Sequence, residues 1–317
     1  MSALRRGDRG PRVAELQRAL TAATDIPLAP DGVFGEATEQ AVIVYQFGKG
    51  LTRDGIAGPI TLRALGLEAA PSSAPPTQPT GAPPLAPIPA GWIMGVDTSR
   101  AQGTIDAGAL KRAGVSFLFA KATDGINSTD PQWARTVTAC QAARLPVGGY
   151  GVLEPYGRAK VAAQARHFAA TLKAAGPLDL PPVCDFELAA GQTGIEALAS
   201  AAEWCDLVEA SLGRRAILYT GPAFFDLLAR YAGPSGDAIT ARLATRPLWI
   251  AHYGRALTRG PNVPRAWSDW ALWQAMGDPA GAGQVERMWA KMPGTQRAID
   301  VDYFRGPIED LIALGNL

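Results

Sequence analysis

From Gly91 onward, short apolar segments alternate with helical stretches, and this alternation limits the possible folds more than any other feature of the sequence. Segments rich in valine, isoleucine and aromatic residues favour strands, while the runs 159–175 and 195–212 favour helices. The candidate strands are residues 93–99, 117–123, 147–153, 183–188, 216–220, 248–253, 270–275 and 298–304. Eight strands in this alternation predict an α/β fold, a modified TIM-like (β/α) barrel. The alternative, an open doubly wound sheet, would need a Gly-rich phosphate turn after its first strand, and the sequence has none there.

The amino-terminal region, residues 1–70, contains an internal repeat. The sequence Asp31-Gly32-Val33-Phe34-Gly35 is echoed by Asp54-Gly55-Ile56-Ala57-Gly58. Each copy places an Asp-Gly turn before a helix start, and Pro59 suits the first turn of a helix. We therefore predict a small three-helix domain at residues 1–70.

Residues 71–90 separate this region from the barrel. They contain eight prolines and no charged residue, a composition typical of a semi-rigid polyproline linker. The predicted organisation is therefore a helical domain (1–70), a linker (71–90) and a barrel (91–317).

Charge and composition exclude several classes of partner. The net charge is +1, which gives no electrostatic basis for binding nucleic acid or an anionic membrane. No apolar run reaches the roughly 18 residues that a membrane-spanning helix requires. The three cysteines form no C-x-x-C pair and predict no disulfide framework. We expect no nucleic-acid partner, no membrane span and a monomer.

A pair of acidic residues lies in the candidate strand 183–188. Alternate side chains of a strand share a face, so Asp185 and Glu187 should point the same way. Repulsion between two close carboxylates favours a proton on one and leaves the other ionised. Glycosidases use a protonated acid beside a carboxylate to cleave a glycosidic bond.

Other acids and a group of aromatic and polar residues accompany this pair. Asp97, Asp300 and Asp302 lie in the first and last candidate strands, and a barrel gathers its functional residues at the carboxyl ends of its strands. A mixture of rings and hydrogen-bonding groups suits a sugar, which has apolar faces and hydroxyl rims. The candidates for contact with a glycan are Tyr150, Tyr219, Tyr253, Trp273 and Gln274. Trp249 fits the cleft and packing against the helices equally well.

Metal and nucleotide chemistry find no support in the sequence. A zinc amidase or peptidase needs about three protein ligands, usually including histidine, and the chain has two histidines, His167 and His252. Neither a P-loop nor a G-x-S-x-G pattern occurs. We therefore predict no cofactor and no metal.

The amino-terminal region resembles the peptidoglycan-binding domain of many cell-wall hydrolases. The matching residues are Gly10, Val13, Leu16-Gln17, the run Asp31–Thr38, Tyr45-Gln46 and the run Asp54–Thr61. This resemblance implies that the domain binds bacterial peptidoglycan.

Residues 93–304 resemble the glycoside hydrolase family 25 lysozymes, the Chalaropsis-type muramidases. The matching motifs are Gly95-Val-Asp-Thr-Ser99, Lys121-Ala-Thr-Asp-Gly125, Asp185-Phe-Glu187, Leu272-Trp-Gln274 and Ile299-Asp-Val-Asp-Tyr-Phe304. The resemblance implies hydrolysis of the β-1,4 bond between N-acetylmuramic acid and N-acetylglucosamine. It implies that Glu187 is the proton donor, Asp185 its partner acid, and Asp97 and Asp300 further site carboxylates. Lys121 and Asp302 are implied to contact the substrate.

Two questions stay open at this point. Asp185 has three possible roles: stabilising a cation, assisting an oxazolinium formed by the substrate's N-acetyl group, or activating water. A non-catalytic wall-binding or virion protein on the same barrel is the alternative function, but it should have lost Asp185 or Glu187, and both are present.

The cellular setting follows from the first residues, which are basic and polar and contain no recognisable signal peptide. A wall hydrolase of this kind resembles a phage endolysin. Such a protein is made in the host cytoplasm and acts on the cell wall after a separate membrane-permeabilising protein releases it. A bacterial enzyme exported by another route is the alternative.

Overall fold

The computed structural model describes residues 3–24, 28–48, 51, 55–67, 87–155, 157–189, 192–253, 256–276, 292–297 and 299–317. The chain divides into two compact units. One holds the described residues up to 67 and the other those from 87 onward. Most of the predicted linker, residues 71–86, and Asp54 of the repeat lie outside the described residues.

The amino-terminal unit is built from three helices, as its sequence predicts. They are α1 (Pro11–Thr24), α2 (Glu36–Gly48) and α3 (Pro59–Ala64). Their apolar stripes meet in one core, in which Val13, Leu16, Leu20, Phe34 and Tyr45 are buried.

A buried glutamine on α1 holds the first copy of the repeat. The Gln17 side chain is 2% exposed, and its Oε1 accepts a hydrogen bond from the backbone N–H of Gly32 (3.0 Å). Its Nε2 donates toward Asp31 Oδ1 (2.8 Å), Val33 O (3.0 Å) and Thr38 Oγ1 (3.0 Å). This one amide therefore ties the Asp-Gly turn to the start of α2.

Gln46 on α2 repeats this arrangement in the second copy. Its Oε1 accepts from Gly55 N (3.1 Å), and its Nε2 donates to Ile56 O (2.9 Å) and Thr61 Oγ1 (3.1 Å). The repeat in the sequence therefore corresponds to a repeated hydrogen-bonding arrangement. In each copy a buried glutamine amide binds the Asp-Gly turn and a threonine of the following helix, and we call this arrangement the glutamine clamp.

Replacing Gln17 with leucine should destabilise the amino-terminal unit. The leucine fills the space but leaves buried donors and acceptors unpaired, so the free energy of unfolding of this unit should fall by about 2–3 kcal/mol. Denaturant unfolding of the full chain measures it. The matched control is Arg18→Leu, an exposed neighbour on α1, which should stay within about 0.5 kcal/mol. Equal effects of the two substitutions would contradict the clamp.

The second unit is a closed barrel. Its strands are β1 (Trp92–Thr98), β2 (Val115–Asp124), β3 (Ser128–Thr129), β4 (Val147–Val152), β5 (Val183–Asp185), β6 (Ile217–Thr220), β7 (Leu248–Ala251), β8 (Leu272–Met276) and β9 (Asp300–Arg305). The sheet order is β1-β9-β8-β7-β6-β5-β4-β2, and pairing between β1 and β2 closes it. The two-residue β3 pairs only with β2. The prediction of an eight-stranded barrel is therefore confirmed, with β3 as an addition that the sequence pattern did not show.

Helices cover the outside of this barrel. They are α4 (Ala107–Arg112), α5 (Trp133–Ala143), α6 (Arg158–Ala174), α7 (Gly194–Leu212), α8 (Pro222–Ala232), α9 (Asp237–Leu243) and α10 (Ile308–Ala313), with a 3-10 turn at Gly233–Gly236. A capping box between Thr193 and Glu196 starts α7, and Gly213 in the left-handed conformation ends it. The described residues between β7 and β8 form no helix. Among the described helices, none has the length and apolarity needed to cross a bilayer.

The last strand runs against the others. In the barrel, β1 pairs with β2, β2 with β4, and each strand from β4 to β7 with the next one, and all of these pairs are parallel. In contrast, β9 is antiparallel to both of its neighbours, β8 and β1. The expectation that Asp300 lies at the carboxyl end of its strand is therefore wrong, because Asp300 begins β9. The reversal brings the amino end of β9 to the rim where the parallel strands end, so Asp300 still reaches the expected end of the barrel.

Aromatic side chains fill the barrel interior below this rim. Along β2, Phe117 and Phe119 belong to the interior cluster, while Leu118 and Ala120 belong to the cluster between barrel and helices. A Cβ atom at Gly95 would lie 2.1 Å from the Phe117 ring, so this position must lack a side chain. Because the interior is packed, a ligand can enter only at the rim.

Candidate active site

A cleft of about 210 Å³ opens at this rim. All but two of the predicted site residues line it, and they come from seven strands and from the segments that follow β5 and β7. The predicted residues in its wall are Asp97, Lys121, Tyr150, Asp185, Glu187, Tyr219, Tyr253, Gln274 and Asp300. Val183 and Trp249 complete it. The barrel therefore brings together acids that are far apart in the sequence.

Asp185 and Glu187 both face the cleft, although the strand is shorter than predicted. β5 ends at Asp185, yet the extended path continues because Phe186 N donates to Tyr219 O on β6 (2.9 Å). The Phe186 ring is fully buried on the other side, 5.2 Å from the Phe224 ring. This anchor keeps the two carboxylates on one side of the chain.

Asp97 and Asp300 are neighbours on the paired strands β1 and β9. They are directly opposed in the register of β1 and β9. Asp97 is 6% exposed, and Asp300 is partly buried. Two acids from opposite ends of the barrel sequence thus stand side by side in the cleft.

Gln274 links Asp97 to two phenols. Its Nε2 donates to Asp97 Oδ2 (2.5 Å), and its Oε1 accepts from the hydroxyls of Tyr219 (2.7 Å) and Tyr253. Because both hydroxyls donate to Oε1, the amide group can point in only one direction, with its N–H toward Asp97. The cleft wall is therefore rigid around this carboxylate.

The electrostatics of the cleft single out Asp97. Burial raises the pKa of Asp97 to about 7, the Glu187 charge adds to this rise, and the Gln274 hydrogen bond and Lys121 oppose it. Burial also raises the pKa values of the Tyr150 and Tyr219 phenols well above their ordinary value, so both stay neutral donors. Asp97 is thus a group of this site that titrates near neutral pH.

Trp273 is one of the two predicted site residues outside the cleft. It is fully buried, and its Nε1 donates to His252 O (2.8 Å). Its neighbour Gln274 faces the cleft, so the alternation of a strand turns Trp273 toward the helices. The predicted contact between Trp273 and substrate is therefore wrong. Trp249 instead lines the cleft, although it is only 2% exposed, and its ring packs 5.0 Å from the Tyr219 ring.

Asp302 is the second predicted site residue that lies outside the cleft. It is fully buried inside the barrel, and its Oδ1 accepts a hydrogen bond from Trp249 Nε1 (3.0 Å). In the sheet it lies directly between Gly95 on β1 and Gln274 on β8. A side chain at this depth does not reach a bound substrate, so the predicted substrate contact of Asp302 is also wrong.

The arrangement of the acidic side chains bears on whether a metal ion could bind in the cleft. Within the part of the chain that the structure describes, no group of three or more histidine, cysteine, aspartate and glutamate side chains is arranged to hold a metal ion. Cys140, Cys184 and Cys205 are free and buried. The chemistry that the site offers is that of carboxylates, phenols and an amide.

The sequence matches family models and curated proteins whose activity is consistent with a cleft lined by carboxylates. The family model of glycosyl hydrolases family 25 matches residues 96–280, and the model of a peptidoglycan-binding domain matches residues 9–65. Curated proteins similar to this chain include a lysozyme and an uncharacterized protein. Lysozyme M1 of Streptomyces globisporus is 25% identical over 240 residues, 73% of this chain and 74% of that protein. The uncharacterized protein YegX of Escherichia coli K12 is 30% identical over 232 residues, 71% of this chain and 75% of that protein.

A solved structure shows the same fold. The crystal structure of the bacterial lysozyme from Streptomyces coelicolor aligns with a TM-score of 0.58 at 24% identity, covering 71% of this chain and 97% of that one. The family match spans more than half of the chain and contains most of the cleft residues. The chain therefore belongs to glycosyl hydrolases family 25, the glycoside hydrolases of the lysozyme and muramidase type that act on peptidoglycan, and it carries an amino-terminal peptidoglycan-binding domain.

Proposed function

We propose that this protein is an N-acetylmuramidase that cleaves the β-1,4 bond between N-acetylmuramic acid and N-acetylglucosamine in peptidoglycan. One observation carries the proposal: Asp185 and Glu187 face a single cleft, beside Asp97 and Asp300, at the rim of a family 25 barrel. Membership of the family and the peptidoglycan-binding domain support the choice of substrate.

Glu187 is the proposed general acid. It lies past the end of β5 and is only partly buried, whereas Asp185 is 8% exposed. The more accessible carboxyl group suits the glycosidic oxygen, which must receive a proton as the bond breaks. Asp185 then lies deeper, where positive charge develops at the sugar.

The remaining groups bind and orient the sugar. The hydroxyls of Tyr150, Tyr219 and Tyr253 are neutral and suit the hydroxyl and N-acetyl groups of a glycan. The buried Trp249 ring supports the Tyr219 ring from behind. Asp97, Asp300 and Lys121 shape the electric field around the reacting bond.

The role of Asp185 is decided by the configuration of the first product. Retention of the anomer indicates that Asp185 assists an oxazolinium or stabilises a cation on one face of the sugar. Inversion indicates that it activates water on the opposite face. Nuclear magnetic resonance of the product formed in the first turnovers measures the configuration.

Mass spectrometry of fragments released from purified peptidoglycan tests the proposed function. A muramidase produces new reducing ends at muramic acid. New reducing ends at glucosamine, or free stem peptides without cleaved glycan, would contradict the proposal.

We also propose that residues 1–70 target the enzyme to the wall and take no part in the chemistry. A variant that starts at Gly91 should bind intact walls at least about tenfold more weakly, because one of two linked binding sites is lost. It should cleave short soluble glycans at the rate of the full chain. Sedimentation with purified walls and a soluble-glycan assay measure the two effects. Loss of activity on the soluble glycans would contradict the separation of roles.

The proposed biological role is that of a phage endolysin acting as a monomer. The pairing of a wall-binding domain with a hydrolytic barrel in one chain supports it. Expression in the host cytoplasm should cause lysis only when a membrane-permeabilising protein is present. Lysis without such a protein would indicate a different route to the wall.

A further inference from the structure

The surroundings of Asp302 disfavour the ionised form of its carboxyl group. It is fully buried on β9 beneath the cleft, and one neighbour, Trp249, donates a hydrogen bond to its Oδ1. Within the described residues, Oδ2 receives no hydrogen bond from a donor. The two charged groups that act on it most strongly are Asp97 and Asp300, and both are carboxylates. A negative charge here would be repelled and poorly solvated.

Asp302 lies opposite Gly95 in the pairing of β9 with β1, so its side chain shares the interior face of the sheet with that of Asp97, two residues further along β1. The two carboxyl groups are close enough for a hydrogen bond, which raises the pKa of Asp302 and lowers that of Asp97. Two carboxylates have no hydrogen to share, so this bond requires a proton on one of them. Asp97 is the better place for the negative charge, because Gln274 Nε2 donates to its Oδ2 and Lys121 lies on the same cleft wall. The proton therefore belongs to Asp302.

We propose that Asp302 is a positioning residue: its protonated carboxyl group donates a hydrogen bond to Asp97 and, together with Gln274, fixes that carboxylate in the floor of the cleft. Asp302 does not touch the substrate. It acts through Asp97, which lines the cleft. The same bond stabilises the ionised form of Asp97 and so lowers its pKa, which burial has raised to about 7.

Other titratable groups face Asp97 and Asp302, and their charges affect where the proton lies. Glu187 repels the negative charge on Asp97, and Lys121 from β2 attracts it. Asp300, the partner of Asp97 in the pairing of β9 with β1, repels a charge on Asp302. Asp185 lies on the same cleft wall. The phenols of Tyr150, Tyr219 and Tyr253, whose pKa values are raised by burial, stay neutral. A proton on Asp302 thus removes the negative charge from the most deeply buried of these carboxyl groups.

Two substitutions of similar size test the proposal. Asp302→Asn keeps a donor for Asp97 and an acceptor for Trp249, whereas Asp302→Leu removes both. We expect Asp302→Leu to lower kcat about tenfold or more, from the lost hydrogen bond to a charged group. It should also move the pH dependence of kcat/KM that belongs to Asp97 to higher pH, because the ionised form has lost a donor. Asp302→Asn should restore most of kcat and the wild-type pH profile.

Two results with these variants would overturn the proposal. If Asp302→Asn is as damaging as Asp302→Leu, the residue acts as a charge and not as a donor. If Asp302→Leu lowers thermal stability but leaves the pH profile unchanged, its role is structural only.

Infrared spectroscopy tests the proton directly, without any assay and without Asp302→Leu having to fold. The difference spectrum of wild type minus Asp302→Asn at pH 8 should contain the C=O stretch of a protonated carboxylic acid. Absence of that band overturns the proposal. The kinetic arm rests on the proposed function, but the spectroscopic arm does not, so a failure of one can be told from a failure of the other.

Discussion

Glu187→Gln should lose about 10²–10⁴-fold in turnover of peptidoglycan, the range that general acid catalysis typically supplies. Glutamine keeps the size of the side chain and can still form hydrogen bonds, but it has no proton to give to the leaving oxygen. The variant should bind glycan as tightly as wild type. Release of soluble fragments from purified walls measures turnover, and binding of an uncleaved glycan measures affinity.

The matched control for this variant is Glu309→Gln, on the first turn of α10 and exposed. It makes the same chemical change outside the cleft and should change turnover by less than about twofold. Near-wild-type turnover by Glu187→Gln would show that the proton comes from another group.

Asp185→Asn should also be severe, with a loss of about 10²–10³-fold in kcat, comparable to removal of an electrostatic group from a developing charge. Each of its possible roles requires the negative charge, and asparagine removes only that. Initial rates on the same wall preparation measure the loss. A decrease of less than tenfold would contradict a direct role in the reaction.

Combining the two substitutions gives a further check. If Glu187 and Asp185 act on the same bond in the same transition state, their effects should not multiply. The double variant should be about as slow as the slower single variant. Multiplied losses would indicate that the two acids contribute independently.

Much of the site could be predicted because strand alternation is a local rule. The spacing of Asp185 and Glu187 was enough to place both on one side of the chain, and the structure has both in the cleft. Phe186, between them, anchors the chain in the apolar layer outside the barrel. The motif therefore contains both the proposed catalytic pair and the residue that orients it.

The same rule excludes one member of the predicted pair Trp273 and Gln274. Consecutive residues of a strand face opposite sides, so Trp273 and Gln274 could not both line the cleft. The choice between them depended on which side of β8 faces the interior, and hydrogen bonding from Gln274 to Asp97 decides it. The sequence alone contains no signal for a contact between residues so far apart.

The direction of β9 was also beyond the sequence. The run Asp300-Val301-Asp302 alternates in the same way whether the strand is parallel or antiparallel to its neighbours. Only the pairing with β1 and β8 shows that Asp300 lies at the rim and Asp302 in the interior. Two aspartates that look equivalent in the sequence therefore have different environments.

The measurement that tests the central claim most directly compares Glu187→Gln and wild type on two substrates. One is the natural glycan, whose leaving oxygen needs a proton. The other is an aryl glycoside whose phenolate leaves without one. If Glu187 is the general acid, its replacement should cause a loss of at least about 10²-fold on the glycan and a much smaller loss on the aryl glycoside. Equal losses on the two substrates would contradict the assignment of Glu187 as the general acid.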